Sequence, residues 1–147
     1  MSTQYDLSRF LDAQERIYDL ALLEIKRGRK VSHWIWFIFP QIAGFRDSRI
    51  SKYYAVKNLD EAKAYLQNGV LCRRLIEISE ALLEQNGSIR YIFGPTDDIK
   101  VGSCMTLFRE VDPGIEVFQK VLDKFFDGQP DISTMNIIAE MRQGTNT

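Results

Sequence analysis

The sequence predicts an all-α fold, and three observations carry that expectation. Apolar residues recur at three- and four-residue steps through most of the 147 positions. Gly or Pro stands at nearly every joint between those stretches. The one apolar run that would suit a strand has no second strand to pair with, which would leave its backbone unsatisfied. The spacing gives seven or eight short helices in one compact domain.

The first helix is read from Leu7, Phe10, Leu11, Gln14, Ile17, Tyr18, Ala21, Leu22 and Ile25, which share one face. Asp6 or Ser8 can cap its start, and Gly28 can end it after the cations Lys26 and Arg27. Val31 to Phe39 is apolar and aromatic, and is read as a buried helix that stops before Pro40. A turn around Gly44 leads to a short helix from Ser48 to Val56. Asn58 and Glu61 look like a capping pair for a helix carrying Ala62, Tyr65 and Leu66, which Gly69 can close. Leu71, Leu75, Ile78 and Leu82 form the next stripe, and a turn or two covers Ser88 to Phe93. After Gly94-Pro95, Thr96 can cap a helix from Asp97 to Arg109. Asp112-Pro113 reads as cap and first position of a helix burying Ile115, Phe118, Val121, Leu122 and Phe125, ended by Gly128. A last helix from Ser133 to Met141 precedes a polar tail, Gln143 to Thr147.

Composition narrows the function classes. There are 19 Lys+Arg against 20 Asp+Glu, a balance that argues against bulk electrostatic binding to nucleic acid or an anionic membrane. No apolar run approaches the roughly 18 residues of a membrane span. The Met1-to-Asp6 start has neither the basic nor the apolar region of an export signal. Cys72 and Cys104 are read as two reduced thiols in a cytoplasmic protein. No cofactor is implied, and a single histidine with no CxxC pair gives no metal site.

Two segments could carry chemistry. Lys26-Arg27-Gly28-Arg29-Lys30 puts four cations in five residues beside the aromatic run. They either oppose a helix dipole and face solvent, or form an anion-binding lip from Arg29 and Lys30. His33 follows, either a core-edge imidazole bonded to a carbonyl or a general acid–base. Pairing it with Cys72 or Cys104 as a nucleophile needs a spatial approach that the sequence does not reveal. Trp34 and Trp36 lie about 200° apart around a helix, so one can be core while the other lines a groove, and Trp34 is taken among the ligand-binding residues. Gln41 sets an amide at the mouth of that groove, needing backbone or ligand partners. In the second segment Asp97, Lys100 and Ser103 step by three residues along one side, with Thr106 beyond. Gly102 costs up to about 1 kcal/mol against Ala inside a helix, which suggests close packing or ligand approach.

These residues carry a resemblance. Arg9-Phe10-x-x-Ala13-Gln14 and Gly28-Arg29-Lys30-x-Ser32-His33-Trp34-x-Trp36-Phe37-Ile38-Phe39-Pro40-Gln41 resemble the bacterial DUF1810 family. So do Leu59-Asp60-Glu61-Ala62-x-Ala64-Tyr65-Leu66, Phe93-Gly94, Asp97-Asp98-x-Lys100 and Ser103-Cys104-Met105-Thr106-Leu107-Phe108. Val121-Leu122-Asp123-Lys124-Phe125-Phe126-x-Gly128 extends the match, which runs from about Tyr5 to Thr134. The resemblance implies an irregular armadillo-like helical stack and brings no assigned activity. The calpastatin label sometimes given to members does not suit a compact, aromatic-rich chain. Two departures stand out: Cys104 replaces a second Ser, and Ala43-Gly44-Phe45-Arg46 replaces the more usual Gly-Leu-Gly turn.

Two functions from different classes follow. One is a binding or interaction module whose basic-aromatic groove takes a protein partner or an anionic small molecule. The other is an enzyme on a small anionic substrate such as a nucleotide or sugar phosphate, with His33 as acid–base, Lys100 and Arg29 holding charge, and Ser103, Thr106 and Gln41 orienting. The missing metal motif, phosphate loop and nucleophile signature favour the first.

Overall fold

The computed structural model describes residues 5–144, and among them the fold is helical throughout. Met1 to Gln4 and residues 145–147, which carry part of the export-signal and polar-tail readings, lie outside the described residues. The eight helices are α1 (Ser8–Lys26), α2 (Ile35–Ile38), α3 (Arg49–Tyr54), α4 (Leu59–Gln67), α5 (Gly69–Leu83), α6 (Ile89–Val111), α7 (Val117–Phe125) and α8 (Ile132–Gly144). Gln143 and Gly144 are therefore still helical, not tail. No helix is long and apolar enough to cross a membrane among the described residues.

The expected stripes are the buried ones. Phe10, Gln14, Tyr18, Ala21 and Ile25 bury one face of α1 against α5 and α2. Leu71, Leu75, Ile78 and Leu82 bury that of α5, which also meets α4 and α7. Gln14 survives inside because Nε2 donates to Phe37 O at 2.8 Å and to Tyr65 Oη at 3.1 Å. One connected cluster of buried residues runs from Leu7 to Ile138, to which every helix but α3 gives fully buried apolar side chains, while α3 packs the half-buried Tyr54 against it. Helix α6 is the spine of that core: it packs on α2, α4, α7 and α8.

Several joints differ from expectation for local reasons. The aromatic run yields only the four-residue α2, because Val31 to Trp34 are held in an irregular loop by side-chain bonds described below. Glu61 does reach back, but to Lys57 N at 2.9 Å, while Asn58 Oδ1 accepts from Glu61 N at 2.8 Å. Gly69 opens α5 instead of closing α4, since Asn68 caps the new helix by accepting from Val70 N and Leu71 N. Gly94, at φ 86° and ψ 168°, breaks α6 into two segments, and Pro95 starts the second, so the capping role given to Thr96 falls to Gly94. Asp112 closes a turn on Gly114 N at 3.1 Å, which postpones α7 to Val117.

One irregular feature positions the site. Ile42 and Val56 form an isolated parallel bridge, with Ala43 N donating to Val56 O at 2.8 Å and Val56 N to Gln41 O at 2.9 Å. This bridge ties both ends of the loop-and-α3 segment together. The turn from Ala43 to Asp47 is thereby held close to α3.

Candidate functional site

Two residues past the end of α1 comes Gly28, whose φ of 85° only glycine adopts cheaply. The chain then turns back over α1, and a single carboxylate holds it there. Glu24 accepts from Val31 N (2.8 Å), Ser32 N (2.9 Å), Ser32 Oγ (2.6 Å) and Trp34 Nε1 (2.9 Å). Burial raises its pKa, but the Ser32 hydroxyl and the donated backbone hydrogens outweigh that and bring it from 4.5 to about 2. Sequence reasoning missed Glu24. The available signal was an acid set inside the buried stripe of α1, between Ala21 and Ile25.

The same loop supplies a buried charge cluster. Lys30 Nζ lies 2.9 Å from Asp97 Oδ2, and Lys100 Nζ lies 3.2 Å from Asp97 Oδ1. One carboxylate thus holds two ammonium groups, leaving one positive charge uncompensated within the trio. Lys30 also donates to Ser32 O at 2.6 Å and sits 5.0 Å from the Trp34 ring centroid. Lys100 sits 5.5 Å from the Trp36 ring centroid and is 7% exposed. The tryptophans divide, but the reverse way round for binding: Trp34, expected among the ligand-binding residues, is core, and Trp36 takes the cleft. Trp34 is fully buried against Phe39 and Phe93, while Trp36 is half-buried and lines a cleft.

That cleft lies between the Gln41–Ala55 segment and the start of the second segment of α6. Its inner neck, of about 10 Å³, is lined by Trp36, Gln41, Arg46, Ser51 and Tyr54 and is roomy enough for one water-sized group. Its outer part, of about 430 Å³, is lined by Arg46, Asp47, Ser48, Ser51, Thr96 and Lys100, among others. Arg46 and Ser51 belong to both. Arg46 is exposed, donates from Nη1 to Phe45 O at 2.9 Å, and pairs with no carboxylate among the described residues. Ser48 Oγ accepts from Ser51 N and donates to Ser51 Oγ at 2.8 Å. The Gln41 amide donates to Phe39 O, which settles the partner question raised for it.

The remaining expected site residues stand elsewhere. Ser103 and Thr106 do not share a polar side with Lys100. Ser103 is fully buried with its Oγ 2.6 Å from Thr134 Oγ1, and Thr106 accepts from Asp131 N at 2.8 Å, so both close the seam between α6 and α8. His33 is exposed in the loop before Trp34, contrary to a core-edge imidazole, and does not line this cleft. Arg29 stacks outward, 5.6 Å from the Tyr91 ring centroid. Burial pushes the Cys104 thiol well up, and burial with the Asp112 charge pushes Cys72 up, opposite to an activated nucleophile. Gly102 reflects close packing: a Cβ there would stand 3.0 Å from the Phe126 ring.

A family model described as a protein of unknown function (DUF1810) matches residues 4–138. The chain belongs to the DUF1810 family. A solved structure of a conserved hypothetical protein from Mycobacterium tuberculosis is 40% identical to it. That match covers 92% of this chain and 97% of the other, with a TM-score of 0.90. No curated protein matches the chain. In this DUF1810 member, the turn from Ala43 to Arg46 delivers Arg46 to the cleft.

Proposed function

We propose that this protein is a binding module for a small phosphate-bearing molecule, held in the cleft between α3 and the second segment of α6. The observation that carries the reading is the meeting of Lys100 and Arg46 in one concave space, with Arg46 free of any carboxylate among the described residues. A phosphate brings three terminal oxygens and about 1.5 to 2 negative charges. Lys100 offers a point charge made rigid by Asp97, and Arg46 a planar fork. Because Ser48 donates to Ser51, the Ser51 hydrogen is left for a guest, and Thr96 adds a further hydroxyl. Asp47 also lines the outer cleft and would favour a guest with its own hydroxyl or amine beside the phosphate.

Binding is preferred over turnover because the lining holds neither imidazole nor thiol. Tyr54, in the neck, has its phenol pushed up by burial and by neighbouring Tyr53, so it stays protonated at neutral pH. We place the protein in a reducing, cytoplasmic setting, in keeping with Cys72 and Cys104 both being free thiols.

Calorimetric titration with inorganic phosphate tests this. Binding is expected with a dissociation constant on the order of 1 mM, and Arg46→Gln and Lys100→Met are each expected to weaken it about tenfold or more. Arg46 is exposed, so its variant is expected to keep wild-type stability to within about 0.5 kcal/mol. Absence of phosphate binding, or binding indifferent to both substitutions, would remove the reading.

A further inference from the structure

The outer cleft does not end at Lys100. Ile99 lines it and also lines a second groove, of about 470 Å³, bounded by Gly102, Phe126, Pro130 and Ile132. Thr96, Ile99 and Gly102 follow one another along α6, and Ile99 lines both spaces, so the polar cleft and this groove adjoin along that helix. Gly102 makes the groove possible, because its bare Cα lets the Phe126 ring lie against the helix. Ile99 is 42% exposed and Ile132 is 66% exposed, so two large apolar side chains of this groove face solvent beside the cationic cleft. Of the groove's polar members, Asp131 is already engaged: its Oδ2 accepts from Thr134 N at 2.9 Å and from Thr134 Oγ1 at 2.7 Å.

Resting on the phosphate reading above, we infer that the guest is amphipathic: a soluble phosphate monoester whose apolar or aromatic group lies over Ile99 and against Phe126, Pro130 and Ile132. The phosphate fixes one end at Arg46 and Lys100. The organic group selects among phosphate esters, because removing its apolar surface from water adds affinity that inorganic phosphate and sugar phosphates lack.

Calorimetry on the full chain with inorganic phosphate, methyl phosphate and phenyl phosphate separates the two levels. Phenyl phosphate is expected to bind about tenfold or more tightly than methyl phosphate. Ile132→Gln, a neutral change at an exposed position, is expected to remove most of that advantage while leaving the inorganic phosphate constant unchanged. Ile99→Ala, whose side chain borders both spaces, serves as the second variant and is expected to reduce the phenyl-over-methyl advantage. Arg46→Gln is expected to weaken all three probes alike. Equal binding of methyl and phenyl phosphate, with inorganic phosphate still bound, overturns the amphipathic guest and leaves the phosphate cleft standing. A phenyl advantage untouched by both isoleucine variants also overturns it. Failure of inorganic phosphate and methyl phosphate to bind overturns the cleft itself, and this inference with it.

Discussion

At the scale of single residues, Glu24 and Arg46 have the greatest consequences, and neither stands out in the sequence. Glu24 stabilises the loop that carries Lys30 and Trp34 by accepting four hydrogen bonds while ionised. Its folded pKa of about 2 lies below the ordinary 4.5, so the stabilisation is complete above pH 4.5 and is lost as pH falls toward 2. Glu24→Gln is expected to cost about 3 kcal/mol at neutral pH and to flatten the acid limb of a stability-versus-pH profile measured by urea unfolding. An unchanged acid limb would remove Glu24 from that role. Gln41 was legible as an amide beside the aromatic run, and Lys100 as a charge stepping along one helix with Asp97. Ser103 and Thr106 were misplaced because three-residue steps drift around a helix, and α8, which claims them, cannot be located from periodicity alone.

At the scale of elements, helix interiors were legible and joints only in part: Asn58 caps α4 and Gly28 follows α1 as expected, while other joints fell elsewhere. The stripes of α1 and α5 follow directly from apolar spacing, since burial of one face dictates it. The joints depend on which of several polar side chains wins a given backbone N–H, as Asn68 does over Gly69, and that competition is settled in three dimensions. Gly94 shows how much one joint can matter. Its φ of 86° with ψ of 168° belongs to a region open essentially to glycine, and no atom lies within 4 Å of where a Cβ would stand. Gly94→Ala is therefore expected to cost about 1–3 kcal/mol through backbone strain alone, read as a lowered denaturation midpoint. Because the bend aims Thr96 and Lys100 at the cleft, phosphate affinity is expected to fall with it. A variant as stable as wild type would mean that the bend is not enforced by this residue.

At the scale of the whole molecule, α6 ties α2, α4, α7 and α8 to a single connected core. Unfolding is then expected to be cooperative, with tryptophan fluorescence from Trp34 and Trp36 and far-UV circular dichroism giving coincident urea transitions. Separate transitions would divide the core into independent units. The all-helical class and the family were legible from one chain because periodicity and long motifs survive without contacts. The cleft was not, because its lining comes from α2, the turn before α3, α3 itself and α6, segments that only the packed core brings together. The most direct test of that cleft is a titration of the isotopically labelled protein with inorganic phosphate, followed by backbone amide NMR. Shifts concentrated in residues 41–55 and 95–100, and vanishing in Arg46→Gln, are the expected result. Shifts centred instead on the basic loop at residues 26–33, or on the face between α5 and α7, would contradict it.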